Sequence, residues 1–220
     1  MKIQDIVKTV DHTLLKQCST SGDIISICHE ALKYGAASVC VPPAHVVTAV
    51  TCLGGKLPVC TVIGFPNGYN TIAVKCFEAA DAIKNGADEI DMVVNLGLVR
   101  EGRFDEVLEE IKMVKEACGD KLLKVIIETC LLTEDEKIEL CRVVSESGAE
   151  FIKTSTGFGG GGATREDVAL MRRECAAHVK VKASGGIASL EDAEDFINLG
   201  AERLGTSKVI KSVIEKETEK

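Results

Sequence analysis

An α/β fold, a closed (β/α)8 TIM barrel, is what this sequence predicts, and three observations carry the prediction. The first is an internal repeat in which a helix closes on Gly-Ala and a short apolar strand follows. It occurs at Gly35-Ala36, Gly86-Ala87, Gly148-Ala149 and Gly200-Ala201. Glycine just past a helix end supplies the left-handed residue that stops the helix. The second is the spacing of those glycines, 51, 62 and 52 residues. One strand-and-helix unit takes about 26 to 30 residues, so each interval holds two units. The third is the alternation of strand-length apolar runs with segments whose apolar residues recur every three to four positions. Eight such units in 220 residues make a compact barrel, one domain spanning 1–220. A doubly wound open sheet, the alternative, would want fewer strands and longer connections.

The elements follow in order. Met1-Lys2-Ile3-Gln4-Asp5 opens an amphipathic segment, read as a short N-terminal helix. Val10-Asp11-His12-Thr13 is the first strand, and a helix over 21–34 runs into the first Gly-Ala. The second strand ends at Cys40, just before Pro42-Pro43. The third covers 58–63 and is followed by a helix over 71–85. Glu89-Ile90-Asp91 forms the fourth, then a helix over 104–118, then a fifth strand over 122–128. A helix over 134–147 leads to the sixth, Phe151-Ile152-Lys153. Thr164 caps the next helix. The seventh strand is 179–182, a helix occupies 190–199, and the eighth strand runs into Leu204-Gly205-Thr206-Ser207.

Composition narrows the function. A net charge of −8 disfavours a nucleic-acid partner. No apolar run approaches bilayer length, and no signal-peptide core follows the N-terminus, so a cytoplasmic protein without membrane contact is expected. Ten cysteines occur with no C-x-x-C, and Cys28, Cys76, Cys118, Cys141 and Cys175 fall within helical patterns. Free thiols in a reducing compartment fit better than a disulfide framework. His12, His29, His45 and His178 are scattered without metal-ligand spacing, so neither metal nor cofactor is expected.

In such a barrel the loops after the strand C-termini form the active face, and alternate strand residues point inward. Charge collects at those strand ends: Asp11, Asp91, Lys124, Glu128, Lys153 and Lys182. Lys153 and Lys182 each stand where a strand runs into a glycine-bearing turn. Asp11 and Glu128, taken alone, read equally well as solvated rim charges, and Asp91 with Lys124 as a structural ion pair. An ordinary lysine, with pKa near ~10.4, is only about 0.1% neutral at physiological pH. Lowering it to ~7 takes roughly 4 kcal/mol. A second ammonium about 6 Å away at an effective dielectric near ~20 supplies roughly 3 kcal/mol, and burial can supply the rest. Two lysines meeting in one pocket are therefore expected to depress each other and yield an amine that attacks a carbonyl, forming a Schiff base.

A phosphate signal lies beside them. Ala183-Ser184-Gly185-Gly186 follows the seventh strand and Gly205-Thr206-Ser207 the eighth. Glycines allow close backbone approach, and exposed N–H groups at a helix start stabilise an anion. Gly157-Phe158-Gly159-Gly160-Gly161-Gly162, after Lys153, reads as a ligand-covering loop.

Taken together, Asp11-His12-Thr13-Leu14-Leu15-Lys16, Thr61-Val62-Ile63-Gly64-Phe65-Pro66, Glu89-Ile90-Asp91-Met92-Val93, Leu123-Lys124-Val125-Ile126-Ile127-Glu128-Thr129, Phe151-Ile152-Lys153-Thr154-Ser155-Thr156-Gly157 and Lys182-Ala183-Ser184-Gly185-Gly186 resemble the deoxyribose-phosphate aldolase family. The resemblance implies a class I, metal-independent aldolase. Such an enzyme splits 2-deoxy-D-ribose 5-phosphate into D-glyceraldehyde 3-phosphate and acetaldehyde. It also implies Lys153 as the Schiff-base lysine, a choice that spacing alone leaves open between Lys153 and Lys182. Lys182 matches the perturbing lysine, and Asp91 the acid that shuttles protons through water. Asp11, Thr13, Lys124 and Thr156 match supporting polar positions. Gly157, Gly185, Gly186, Thr206 and Ser207 match the phosphate cradle. Cys40 matches a cysteine near the pocket, although a small core filler is an equal reading. A homo-oligomer, dimer or tetramer, is implied as well.

Two features depart from the family pattern. Gln17 stands where a proline is usual, followed by Cys18, and the tail 211–220 has no tyrosine. Asp91 and water are thus expected to carry the proton traffic. Another phosphosugar barrel, such as an isomerase, would keep the phosphate loops without needing both lysines. A non-catalytic sugar-phosphate-binding barrel would show no turnover.

Overall fold

The computed structural model describes residues 1–218. The strands are β1 (Val10–Thr13), β2 (Ser38–Val41), β3 (Val59–Ile63), β4 (Glu89–Val93), β5 (Leu122–Ile126), β6 (Phe151–Lys153), β7 (Lys180–Ser184) and β8 (Ala201–Thr206). All pair in parallel in chain order, and β8 closes on β1. The helices are α1 (Ile3–Val7), α2 (Ser21–Tyr34), α3 (Val46–Leu53), α4 (Ile72–Lys84), α5 (Leu96–Arg100), α6 (Phe104–Cys118), α7 (Glu134–Ser147), α8 (Arg165–Glu174), α9 (Leu190–Asn198) and α10 (Val209–Thr218). Among the described residues, no helix is long and apolar enough to cross a membrane.

Local chemistry sets the helix ends. Thr20, Thr133 and Ser189 each cap a helix reciprocally with Asp23, Glu136 and Asp192, which satisfies two orphan N–H groups at each start. Gly35 and Gly148 adopt φ of 72° and 85° and terminate α2 and α7, so the Gly-Ala repeat acts as the pattern predicts. Helix α3 fills the gap between β2 and β3 as the alternation predicts, and α5, a second helix after β4, is additional.

Two apolar clusters result. The larger one lies between sheet and helices, where Val39, Ile90, Met92, Val125, Ile152, Val181 and Leu204 turn outward onto the helical layer. Each such buried aliphatic contributes about 1.5–3 kcal/mol. The smaller one, Cys40, Cys60 and Val62 with Leu15 and Phe65 against it, is a separate patch. Alternation then leaves the charged residues facing one another inside the barrel.

Three boundaries differ from expectation. β5 stops at Ile126 because Glu128 has φ of 52°, which turns the chain out of the sheet. β7 continues to Ser184, and Cys175 stands just past α8 rather than within it. A register shift between Val181 and Lys182 lets Lys182 pair with Arg203 across to β8.

Candidate active site

Asp91 sits fully buried on β4 with three ammonium groups around its carboxylate. Lys124 Nζ donates to Oδ1 at 2.9 Å. Lys153 and Lys182 donate to the same Oδ2 at 2.8 and 2.7 Å. The two lysines predicted to meet therefore share one oxygen, which puts their nitrogens within two hydrogen-bond lengths of each other. Parallel register explains the convergence, since Asp91 lies opposite Lys124 and Lys153 opposite Lys182.

The cluster extends downward through residues the sequence reading missed. Glu89, two positions before Asp91 and so on the same strand face, accepts from Lys124 at 2.6 Å and from Arg203 at 2.7 Å. Arg203 also pairs with Asp11, whose other oxygen is 2.5 Å from Lys182 Nζ and which accepts from Ser38 Oγ at 2.8 Å. Asp11 is thus a buried partner and not a rim charge. Period two places Arg203 on the face of Gly205, a signal that could have exposed it. The Val181–Lys182 irregularity hid which strand residues would meet.

Electrostatics corrects one expectation. Burial works against every charge here, but the carboxylates prevail for the amines. Lys182 is held well above the usual lysine range by Asp11 and Asp91, against burial and the neighbouring Lys124. Lys124 is raised in the same way, by Asp91 first among its partners. Mutual depression of two bare ammoniums is therefore not the state of Lys182. The reason is that carboxylates stand between the cations. Despite burial, Lys124, Lys153 and Lys182 hold Asp91 well below the ordinary carboxylate range, and Lys182, Lys124 and Arg203 do the same for Asp11.

Cys60, also missed, donates to Asp91 Oδ1 at 3.1 Å, and burial pushes its thiol up. Cys40 lies beside it on β2, fully buried. Cys40, Cys60 and Asp91 could together offer three metal-ligand atoms within 4.8 Å of one another. Lysines already occupy the carboxylate of that set.

Above the cluster opens a cavity of about 360 Å³. All five predicted cradle residues line it: Gly157, Gly185, Gly186, Thr206 and Ser207. Thr13 and Thr156 line it too, and Thr13 Oγ1 donates to Asp11 O at 2.7 Å. The floor meets the lysine cluster at Gly205, where an added Cβ would stand 2.8 Å from Ser184 Cβ and 3.2 Å from Lys182 Cε. Lys16, Lys208 and Lys211 also line this cavity and were not singled out from sequence. Lys208 and Lys211 stand at the start of α10, whose first turn carries no acid. Cations there oppose the helix dipole, an arrangement that a bound anion would make favourable.

Glu128 is buried instead of solvated at the rim. Its carboxylate accepts from Thr156 N at 3.3 Å and from Thr156 Oγ1. Lys180, by contrast, remains exposed at the other end of its strand.

Fold and site together define a parallel barrel with an amine-and-carboxylate centre beneath a basic, glycine-lined cavity. Residues 6–202 match the model for DeoC/LacD family aldolase, and the chain belongs to that family. A curated deoxyribose-phosphate aldolase of Streptococcus pyogenes serotype M4 is 60% identical over 213 residues, 97% of this chain and 96% of its own length. Among solved structures, one from Coccidioides immitis, assigned as a deoxyribose-phosphate aldolase, superposes with a TM-score of 0.94. It is 42% identical over 99% of this chain and 87% of that one. The tetrameric deoxyribose phosphate aldolase of Aeropyrum pernix superposes with a TM-score of 0.87 at 31% identity, over 100% of this chain and 94% of its own.

Proposed function

We propose that this chain is a class I aldolase that reversibly cleaves 2-deoxy-D-ribose 5-phosphate to D-glyceraldehyde 3-phosphate and acetaldehyde. The observation that carries the reading is a shared carboxylate, Asp91, bonded by three lysines beneath an anion cavity. The similarity to curated deoxyribose-phosphate aldolases supports the substrate.

Charge counting selects the nucleophile. Lys124, Lys153, Lys182 and Arg203 face Asp11, Glu89 and Asp91, which is one cation more than the carboxylates balance. Lys124 and Lys182 each contact two or more carboxylates, whereas Lys153 shares a single oxygen with Lys182. Arginine keeps its proton. Lys153, with the fewest carboxylate contacts of the three lysines, is thus the nucleophile, and its amine attacks C1 of the open-chain sugar.

Asp91, through water, moves protons as the carbinolamine loses water to the iminium. The C3 hydroxyl then gives up its proton, and the C2–C3 bond breaks to leave the C3 aldehyde. The bonding pair passes to the iminium as an enamine. Protonation at C2 and hydrolysis release acetaldehyde and restore Lys153. Lys182, held charged, stabilises negative charge developing on oxygen. Thr13, Thr156, Lys124, Asp11 and Cys40 shape the site. The glycine and hydroxyl cradle with Lys16, Lys208 and Lys211 holds the phosphate. No step calls for a metal or cofactor.

The test is borohydride reduction in the presence of acetaldehyde, with and without a chelator. A two-carbon adduct on Lys153 is expected under both conditions. An adduct elsewhere, or one abolished by chelation, would refute the assignment.

We further propose that copies of the chain associate. Tyr69 and Phe77 are both 72% exposed, and Val74 lies one helical turn from Phe77 on α4. This apolar patch suits burial against a second copy. Sedimentation should give at least a dimer, shifted toward monomer by Phe77→Lys; a monomeric unaltered chain would refute the proposal.

A further inference from the structure

A second cavity of about 360 Å³ adjoins the phosphate cavity, and the loops after β1 and β6 form the partition between them. Leu15, Lys16 and Phe158 line both. Beyond the partition the walls are mainly apolar, with Pro43, Val62, Phe65 and Pro66 prominent, and no lysine other than Lys16 reaches them. Val62 and Phe65 also touch the Cys40–Cys60 patch, and Cys60 touches Asp91. This cavity therefore backs onto the reaction centre from the side away from the anion.

Phe158 is an odd residue to find here. It lies in a run of glycines, its ring is half exposed, and it meets Phe65 edge-on at 5.3 Å. A ring carried on so flexible a loop would wander unless it were held. The holding group is Glu128. Thr156 Oγ1 donates to the Glu128 carboxylate and accepts from Phe158 N at 3.0 Å. Thr156 N points at the same carboxylate. The loop packs tightly beyond this point: an added Cβ on Gly159 would lie 2.8 Å from Glu128 Cδ, and one on Gly162 would lie 2.6 Å from Gly185 C and O. Glu128 is also the only non-glycine residue at positive φ among those described, a conformation that costs free energy and persists only where its bonds hold it.

We propose that Glu128, Thr156 and Phe158 form a latch that sets aldehyde specificity, with Phe158 as the wall that excludes unphosphorylated aliphatic aldehydes from the second cavity. Glu128 is a positioning residue acting through Thr156, and Phe158 is the residue that determines specificity. This rests on the aldolase reading and extends it to the choice of acceptor.

The experiment compares deoxyribose 5-phosphate cleavage with the addition of acetaldehyde to hexanal. Phe158→Ala should raise KM for the phosphosugar and raise kcat/KM for hexanal, each by about tenfold, with a smaller change in kcat. Glu128→Ala should move both in the same direction. Glu128→Gln keeps an acceptor oxygen for Thr156 and should recover most of the change. An unchanged ratio of hexanal to phosphosugar use in Phe158→Ala overturns the proposal, as does a Glu128→Ala enzyme that loses kcat on both substrates in proportion. Calorimetry with inorganic phosphate separates the latch from the reading beneath it. Weaker phosphate binding by Glu128→Ala than by the unaltered chain supports the latch even if no phosphosugar is cleaved, and equal binding sinks it. Should Glu128→Ala fail to fold, Phe158→Ala decides the matter alone.

Discussion

Lys153→Ala is expected to lower cleavage of deoxyribose 5-phosphate by roughly 10⁴-fold or more, the scale on which loss of a covalent nucleophile acts. The fold should survive with little loss of stability. Asp91 keeps Lys124 and Lys182 as partners, and three cations are then left facing three carboxylates. Deleting this amine leaves every remaining cation of the cluster with a carboxylate partner. That contrast makes the variant informative: chemistry collapses while the thermal midpoint stays near that of the unaltered chain. Inorganic phosphate should bind as before, because Lys153 does not itself line the anion cavity. Steady-state rates beside a thermal melt decide it. A rate within a factor of about ten of the unaltered chain would move the nucleophile elsewhere.

Much of this centre was legible before any coordinates. The Gly-Ala repeat locates the strand starts, and alternation within a strand then indicates which residues face inward. Asp91 and Lys153 follow from those two rules, and Lys124 and Lys182 from the apolar runs that lie between the repeats. The cradle glycines follow from their position after the last two strands. What stayed hidden depends on relations between strands. Arg203 meets Asp11 and Glu89 through the register after the β7 irregularity, and no periodicity within one segment encodes that register. Glu128 looked like the next inward residue of β5, yet a left-handed backbone turns it toward Thr156.

The expectation of mutual depression does not describe Lys182, for a related reason. It weighed two ammoniums and left out the carboxylates between them. With Asp91 bonded to both at 2.8 and 2.7 Å, attraction outweighs repulsion, since Coulomb energy rises steeply as separation falls.

Asp91→Asn should have the second large effect, on stability and turnover together. It leaves Lys124, Lys153 and Lys182 around a neutral amide, and removing one partner of a buried ion pair costs about 3–5 kcal/mol. In a chain of this size that lowers the thermal midpoint by roughly 10 °C. Turnover should fall by about 10³-fold or more, since the general acid–base group and the alignment of Lys153 go together.

The pH dependence gives the sharper check. Asp91 titrates far below its ordinary value of 3.8 in the folded chain, so its contribution is complete above that value. It is lost as pH falls through the depressed folded value. The stability gap between the unaltered chain and Asp91→Asn should therefore be widest near neutrality and shrink as the pH drops below 3.8. Lys182 behaves oppositely: its raised value keeps its contribution whole up to its ordinary 10.5, with loss only as pH climbs through the folded value. Adding Lys124→Met to Asp91→Asn removes one of the stranded cations and should restore part of the midpoint without restoring turnover. Such a result would separate the structural share of Asp91 from its catalytic share. A gap that stayed constant into strong acid would mean that the ionised carboxylate does not hold the three lysines together.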